Sequence, residues 1–428
     1  MTALPVREPA TTIPTPEMAP EQAPEIVLAG CGLRGMGLLT ATPALLDHRL
    51  TVVDAGPRPG PGAFPGYRIQ SNSTGSDFFG WVDPAGPFGP VLDDPAVRRL
   101  RNHRGAFDLA LLAGALDRFG DRLATLLPPE RLIREDPLVH VTVEGEAIRL
   151  TLASGRRLDT RALVLALGIA EPAHDALTPW AARTIPSGRI VRDHLAALPP
   201  LPADRPVPAD RPARIVIAGG SHSAYSAALV LADAVDAGRL SAEVTILHRG
   251  PARLFYPNMD AQVAEPHGPL EALPDLARDI CPETGQVFRY SGLRHRARAL
   301  FREIAQGARQ GFTQRQIPAI DDAADLLDRA DLIVQALGYQ SRRLAMTIDG
   351  RPWDPAGGRP VVRPEPDGRI PLPAGARAQI FVMGMDPYPY DDGALTPTGQ
   401  YALRGGQILA ALARSPAAGQ PLPLAEPV

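Results

Sequence analysis

Two glycine-rich segments in different halves of the chain have the residue types and spacing of turns that bind a pyrophosphate. The first, residues 30–35, follows an apolar run and places Gly30, Gly32 and Gly35 in the pattern G-x-G-x-x-G. Glycines suit such a turn because they allow a tight reversal, a close approach to phosphate oxygens and close packing of helix on strand. A helix that starts there adds free N–H groups and partial positive charge. Residues 30–35, the first turn, therefore predict a dinucleotide site.

A carboxylate stands where the ribose of that dinucleotide would bind. Asp54 closes the apolar run 50–54, which we expect to be the next strand. A carboxylate at this strand end accepts hydrogen bonds from ribose hydroxyls. We also assign Gly168, at the end of the buried run 162–167, to the same cofactor site. The alternative is an ordinary glycine-rich turn beside a parallel strand, with Cys31 as a small residue in it.

The second glycine-rich segment, residues 219–224, departs from the glycine pattern. Gly219 and Gly220 open it, Ser221 occupies the position of the second glycine, and Ala224 that of the third. Alanine is tolerated at the third position. Serine adds a Cβ where the phosphate approaches, although its hydroxyl can donate to a phosphate oxygen. Residues 219–224, the second turn, predict another pyrophosphate site.

The strand after the second turn ends in basic residues rather than in an acid. His248 and Arg249 stand at this end. An acid there favours NADH, whereas an arginine can pair with the 2′-phosphate of NADPH. We therefore expect the second turn, Ser223 included, to bind NADPH, with Arg249 as the main discriminator and His248 assisting. In the alternative interpretation, Arg249 is a solvated charge at a strand end.

Two dinucleotide turns in one chain predict that electrons pass from NADPH to a flavin. The only cysteines, Cys31 and Cys281, form no C-x-x-C, so a dithiol centre is excluded and a thiolate zinc site is not expected. The sequence has no lysine, which excludes Schiff-base chemistry and leaves phosphate binding to arginine, histidine or backbone N–H groups. The formal net charge of −3 over 428 residues indicates neither nucleic acid nor an anionic membrane as a partner.

The order of apolar runs and turns predicts an α/β fold with two Rossmann-like dinucleotide-binding domains, the NADPH domain inserted into the FAD domain. A strand–turn–helix pattern starts before each turn, and a proline-rich segment separates the two halves. No apolar run reaches the roughly 20 residues that cross a bilayer, and the start of the chain lacks a secretory signal. We expect a soluble cytoplasmic protein, and the sequence leaves open whether it forms a homo-oligomer.

The predicted divisions of the chain are a disordered tail at 1–24, the first part of the FAD domain at 25–198, a linker at 199–212, the NADPH domain at 213–345, the second part of the FAD domain at 346–417, and a tail at 418–428.

Together these segments resemble the two-dinucleotide flavoprotein monooxygenases, which include the flavin-containing monooxygenases and the ornithine and lysine N-hydroxylases. The first turn is similar to their FAD site and the second to their NADPH site. Residues 331–339 are similar to their late Asp-(x)n-Ala-Thr-Gly-Tyr signature, with leucine in place of threonine. Residues 71–74 are similar to an Asn-Ser segment of flavin-containing monooxygenases. The resemblance covers residues 26–412.

The resemblance implies a catalytic role for an asparagine in the long loop after the first domain's opening strands. By this likeness Asn72 lies beside the flavin and the nicotinamide and supplies an amide donor, with Ser71 and Ser73 in contact with the cofactor. The alternative for Asn72 is a turn-forming residue in a Gly/Ser-rich loop.

The resemblance also implies flavin contacts near the end of the chain. Asp386 follows the last apolar run, and Thr398 and Gly399 open the last helix. Free N–H groups at a helix start can stabilise negative charge on the flavin ring. The alternative is a capped helix that packs on the sheet.

The implied activity is that of an FAD- and NADPH-dependent monooxygenase. NADPH reduces the flavin, and a C4a-hydroperoxyflavin formed with O₂ transfers one oxygen to a small molecule, most simply to the nitrogen of an amine or amino-acid-like substrate. The alternatives are an NADPH-dependent flavin oxidase or reductase and a flavin-binding regulatory protein without turnover. Because the chain lacks lysine, the candidates for substrate recognition in the interdomain cleft are Asn258, Arg289, Tyr290 and Arg294, although each type is more often a surface residue.

Overall fold

The fold is that of a computed structural model, which describes residues 23–67, 69–71, 73–193, 211–282, 284–355, 357, 362, 364–383 and 397–414, the last range without the side chains of 397–399. Nearly all of both expected tails and most of the expected linker lie outside these ranges, and so do Asn72 and Asp386.

The described chain forms strands and helices in the alternating order expected of an α/β protein. The strands are β1 Ile26–Ala29, β2 Leu50–Val53, β3 Leu132–Ile133, β4 Leu138–Glu144, β5 Ala147–Leu152, β6 Arg157–Thr160, β7 Ala162–Leu165, β8 Ile169–Ala170, β9 Thr184–Pro186, β10 Ala213–Ala218, β11 Ala242–His248, β12 Phe312–Gln316, β13 Leu332–Gln335, β14 Gln340–Ser341, β15 Ala345–Ile348, β16 Arg351–Trp353 and β17 Gln379–Val382. The α-helices are α1 Leu33–Ala41, α2 Gly75–Phe79, α3 Pro95–Arg101, α4 Leu109–Leu126, α5 Ser187–Asp193, α6 His222–Asp236, α7 Met259–Val263, α8 His295–Ala305, α9 Ala324–Arg329 and α10 Pro397–Arg414. Short 3₁₀ helices span Pro43–Asp47, Phe64–Gly66, Gly89–Asp93, Pro129–Arg131, Asp175–Arg183 and Ile320–Ala323.

The first domain is built on a five-stranded parallel sheet in the order β17-β7-β1-β2-β3. Its central strands are short apolar runs that are buried on both faces, as parallel strands require. One face packs against α1, α3, α4 and α10. The other packs against a mixed sheet in the order β16-β15-β4-β5-β6. The carboxyl ends of β1, β2 and β7 meet at one edge, where the first turn lies.

The second domain repeats this plan with a parallel sheet in the order β12-β11-β10-β13-β9. Helices α6 and α8 cover one face, and α9 covers the other together with the 3₁₀ helix at 175–183. The second turn follows β10, at the carboxyl edge of this sheet. Both sheets therefore present a glycine turn at the edge where α/β proteins bind ligands.

The chain crosses between the domains along two short strands that pair with each other. Strand β8 carries the chain into the second domain, β14 carries it back, and they form an antiparallel pair. Gly168 precedes β8 with φ +80° and Gly338 precedes β14 with φ +108°. Glycine adopts this left-handed region without the penalty that other residues meet. The second domain is thus inserted into the first, as expected.

Residues 184–193, which we expected in the first part of the FAD domain, pack with the second sheet. Strand β9 pairs with β13 in the second sheet, and α5 packs against α6. The sheet of the second domain therefore includes a strand that precedes residue 213. A three-residue strand containing a proline has no periodic pattern, so its place depends on its pairing with β13.

Within the described ranges, no helix is long and apolar enough to cross a membrane. The same residues contain no cluster of histidine, cysteine and acidic side chains arranged to hold a metal ion.

Candidate functional site

The glycines of the first turn occupy positions that other residues would not fit. Gly30 has φ +88°, and a Cβ on it would lie 2.4 Å from the carbonyl oxygen of Ala166. A Cβ on Gly35 would lie 2.4 Å from the carbonyl oxygen of Gly30. Gly32 differs, because a Cβ there would meet only the backbone of Gly62, with Cα at 3.4 Å and N at 3.9 Å. Packing therefore requires glycine at positions 30 and 35, whereas at position 32 a Cβ would make only an ordinary contact.

Asp54 lies directly against the first turn. Its Oδ2 accepts a hydrogen bond from the Cys31 N–H at 2.5 Å, and its Oδ1 accepts one from the Gly56 N–H at 2.7 Å. Burial raises the pKa of Asp54, and these two backbone donors oppose that shift. The carboxylate is thus held rigidly at the end of β2, and it keeps lone pairs for further donors.

The second turn packs even more closely. Gly219 has φ +135°, and a Cβ on it would lie 2.1 Å from the Ala336 carbonyl oxygen. A Cβ on Gly220 would lie 2.3 Å from His248 Cβ. Ala224 is fully buried, whereas Ser221 is exposed at the N-terminus of α6 and its side chain caps no backbone N–H. The hydroxyl of Ser221 is therefore available to a ligand at the helix N-terminus.

The two residues at the end of β11 have different environments. Arg249 is exposed. His248 is buried, with Nδ1 2.8 Å from the carbonyl oxygen of Gly250, and its Nε2 has no partner among the described residues. Arg249 is therefore the better placed of the two to reach a phosphate in solvent.

A cavity lies between the two domains, and we call it the interdomain cavity. Its walls are residues 69–71 and Asp108 of the first domain, one side of α6 from Ser226 to Asp233, and residues 294–297 at the start of α8. Its volume of about 140 Å³ exceeds what one water needs.

Ser71 is fixed in the wall of the interdomain cavity. Its N–H donates to the Phe107 carbonyl oxygen at 2.7 Å, its hydroxyl donates to the Ser73 carbonyl oxygen, and it accepts from the Ser73 N–H at 3.0 Å. These hydrogen bonds hold the backbone of residues 71 and 73 in place. Residue 72 lies outside the described residues.

The substrate-recognition candidates separate into two groups. Asn258 caps α7, where its Oδ1 accepts from the Ala261 N–H at 2.8 Å, so its side chain already has a structural role. Arg294 lines the interdomain cavity. Arg289 and Tyr290 are its neighbours, and the Arg289 guanidinium lies 5.1 Å from the Tyr290 ring centroid. Sequence reasoning could not separate these groups, because the described part of the segment between β11 and α8 is largely irregular, with α7 as a short helix in it.

A polar cluster at the domain crossing was not expected from the sequence. Glu171, just after β8, accepts hydrogen bonds from the Ser187 hydroxyl at 2.6 Å and from the Gly188 N–H at 2.7 Å. The Tyr339 hydroxyl interacts with Ser187 and with Ser223 of the second turn. Burial raises the pKa values of Glu171 and Tyr339. The cluster joins the second turn to both crossings, and Glu171 belongs to no motif that could have revealed it.

Two parallel sheets, each with a glycine turn at its carboxyl edge and joined by paired crossing strands, define a protein with two dinucleotide-binding domains. No family model matches the chain. The CMP-5'-(3-aminopropyl)phosphonate hydroxylase of Streptomyces rubellomurinus is 32% identical over 404 residues, which cover 83% of this chain and 87% of that protein.

Solved structures share the fold. The FAD-bound cadaverine monooxygenase of the desferrioxamine pathway from Erwinia amylovora aligns with a TM-score of 0.59 and 15% identity, over 95% of this chain and 99% of that chain. The Kutzneria ornithine N-hydroxylase with reduced FAD, NADP⁺ and L-ornithine aligns with a TM-score of 0.56 and 14% identity, over 92% and 99%.

The chain belongs to the flavin-dependent monooxygenases with two dinucleotide-binding domains. It is therefore an enzyme of this class, and its cofactors are FAD and NADPH. The expected fold class, enzyme class and cofactors are confirmed.

Proposed function

We propose that this enzyme hydroxylates the nitrogen of an amine on a small molecule. The observation that carries the proposal is the sequence relative, which is named for hydroxylation of an aminopropyl phosphonate joined to CMP. The interdomain cavity supports it, because the cavity lies between the domains that carry the two turns and has room for a small organic group.

The first turn and its surroundings are the proposed FAD site. Gly32 is the glycine that we assign to the close approach of the pyrophosphate, since packing does not require a glycine there: a Cβ would meet only Gly62, at 3.4 Å. Asp54 would accept from the ribose through lone pairs that its two backbone donors leave free. The further proposed FAD contacts are Gly30, Gly35, Ser71, Ser73, Gly168, Asp386, Thr398 and Gly399.

The second turn and the end of β11 are the proposed NADPH site. The exposed hydroxyl of Ser221 and the free N–H groups at the start of α6 suit a pyrophosphate. Exposed Arg249 suits the 2′-phosphate. The rest of this proposed site is formed by the residues that shape the turn, namely Gly219, Gly220, Ser223 and Ala224.

FAD reduced by NADPH supplies the chemistry by which one oxygen atom of O₂ is inserted into the substrate. The protein must hold the amine nearby and keep water away.

We propose that Asn72 supplies an amide donor at the reacting centre. On this proposal Asn72→Ala keeps FAD and still oxidises NADPH, but it releases H₂O₂ in place of product. Asn102→Ala, which changes an exposed asparagine at the end of α3, is the matched control. Unchanged coupling in Asn72→Ala would remove Asn72 from the mechanism.

The proposed function is tested by supplying the purified enzyme with NADPH, O₂ and an amine panel that includes 3-aminopropylphosphonate and 1,5-diaminopentane. We expect hydroxylamine to form in step with NADPH consumption for at least one amine. NADPH consumption that ends in H₂O₂ with every amine would support the oxidase alternative. Bound flavin without NADPH consumption would support the regulatory alternative.

A further inference from the structure

Arg294 is an arginine held in place inside the interdomain cavity. Its guanidinium stacks on the Phe255 ring, with Cζ 3.8 Å from the ring centroid, and it donates to the carbonyl oxygen of Arg289. Stacking covers a face of the guanidinium and leaves in-plane N–H groups for other acceptors. Within the described chain, Arg294 forms no ion pair with a carboxylate.

A second guanidinium, that of Arg289, acts on Arg294. Arg289, which donates to Cys281 Sγ at 3.2 Å, is close enough to disfavour the charge on Arg294. Asp77 of the first domain favours the charge on both guanidinium groups, and the pKa of Arg289 is raised because its hydrogen bond to Cys281 and the nearby groups outweigh its burial. Burial lowers the pKa of Arg294 to about 10, and burial together with the charge of Arg294 lowers the pKa of His222 to about 4.

An anion bound beside Arg294 would offset the cost of burying the charge of that guanidinium. The forked donors of two guanidinium groups match the oxygens of a phosphate or phosphonate, which bears up to two negative charges. Such a group could belong to the substrate or to the pyrophosphate of NADPH. The cavity extends along α6 from Ser226 to Asp233, roughly 6 to 16 Å beyond the helix start at 1.5 Å per residue. A pyrophosphate at the helix N-terminus does not fill that space, which favours the substrate.

We propose that Arg294, assisted by Arg289, binds a phosphate or phosphonate group on the amine substrate. The substrate class is then an amine that carries a phosphoryl-type anion, rather than a diamine. This inference rests on the proposed function and deepens it, because it assigns one end of the substrate to a named pair of side chains.

The first test measures binding without turnover. Propylphosphonate is titrated calorimetrically into the oxidised, FAD-loaded enzyme and into its Arg294→Gln, Arg289→Gln and Arg278→Gln variants. Losing a charge-assisted contact worth about 1.5–3 kcal/mol raises Kd roughly 10- to 100-fold, and we expect this for Arg294→Gln and a smaller rise for Arg289→Gln. Arg278, an exposed arginine of the same segment, is the matched control and should leave Kd unchanged. Flavin content and Tm establish that each variant is folded.

The second test compares kcat/KM for 3-aminopropylphosphonate and 1,5-diaminopentane, together with the KM for NADPH. Arg294→Gln should abolish the preference for the phosphonate and leave the KM for NADPH within about two-fold of the wild-type value. A raised KM for NADPH with unchanged phosphonate binding would assign the arginines to the dinucleotide and overturn the inference.

The inference and the proposed function fail in different ways. Equal hydroxylation of both amines by the wild-type enzyme would overturn the anion site while the proposed function stands. Arg294-dependent binding of propylphosphonate, with no amine hydroxylated, would support the anion site while the proposed function fails.

Discussion

The glycines of the first turn differ in whether folding or cofactor binding requires them, and substitution of Gly32 tests this difference. Gly32→Ala adds a methyl group that meets only Gly62 at 3.4 Å, an ordinary contact distance. We expect the variant to fold with an unchanged apo-protein Tm but to lose FAD, because the methyl group occupies the space of the pyrophosphate. The measurement is the flavin-to-protein absorbance ratio after desalting, alongside Tm.

Substitutions of two other glycines serve as controls for this prediction. Gly114→Ala, on an exposed position of α4 where a Cβ meets nothing within 4 Å, should retain FAD fully. Gly30→Ala should fail to fold normally, because of its positive φ and the clash with Ala166. If Gly32→Ala keeps its flavin, the first turn does not bind the pyrophosphate through this face.

Arg249 tests the assignment of the second turn. Arg249→Gln should lower kcat/KM for NADPH roughly 10- to 100-fold and leave that for NADH nearly unchanged, because only NADPH carries the 2′-phosphate. The control is Arg239→Gln, which removes an exposed charge after the end of α6. Retained preference for NADPH in Arg249→Gln would make Arg249 a solvated strand-end charge.

At the level of residues, the sequence is informative where the chemistry is local. Gly30, Gly35 and Gly219 adopt their conformations within a few residues of a strand end, so the spacing alone predicts the turns. The proximity of Arg294 to His222 depends on how the segment before α8 folds back on α6. No local pattern predicts that contact, which is why Arg294 was one candidate among several.

Among the elements, the start of β13 shows that Asp331, the first residue of the signature at 331–339, has a structural role. Asp331 accepts two hydrogen bonds from Arg211, at 2.8 and 2.9 Å, and one from the Arg214 N–H at 2.7 Å. The hydrogen bonds from Arg211 are the main reason that the pKa of Asp331 is lowered. The aspartate thus joins β13 to the chain that enters β10, and it lies at the opposite edge of the sheet from the second turn.

This geometry predicts a pH-dependent stability. Because the folded-state pKa of Asp331 is lowered, its contribution is complete above the unfolded value and is lost as the pH falls through the folded value. Asp331→Asn should cost about 1–3 kcal/mol in the free energy of unfolding at pH 7, and less below about pH 4. Urea unfolding across this pH range measures the difference.

Asp325→Asn is the control for this experiment. Asp325 pairs with Arg315 and Arg329 on the surface, where ion pairs contribute little, so its removal should change stability far less at every pH. A pH-independent loss in Asp331→Asn would show that packing, rather than the charge, explains the effect.

The strands whose positions could not be predicted from the sequence escape prediction for one physical reason. β8, β9 and β14 have two or three residues each, and they are strands only because partners lie beside them. The longer apolar strands β1, β7, β10 and β13 are buried on both faces, so their composition predicts them directly. The inserted arrangement could therefore be predicted, whereas the position of the crossing could not.

At the scale of the whole molecule, the two domains have separate cores and meet at the crossing strands and the interdomain cavity. The proposed FAD site lies on one domain and the proposed NADPH site on the other. Hydride transfer therefore requires both turns to face a common space, and the cluster of Glu171 and Tyr339 links the second turn to the crossing.

The origin of the oxygen atom in the product decides whether the enzyme is an N-hydroxylating monooxygenase. The enzyme is supplied with NADPH, 3-aminopropylphosphonate and ¹⁸O₂, and mass spectrometry follows the amine, the product and H₂O₂. We expect a hydroxylamine with one ¹⁸O atom, formed in step with NADPH consumption. Product without ¹⁸O, or consumption of NADPH and O₂ that ends entirely in H₂O₂ across the amine panel, would contradict this expectation.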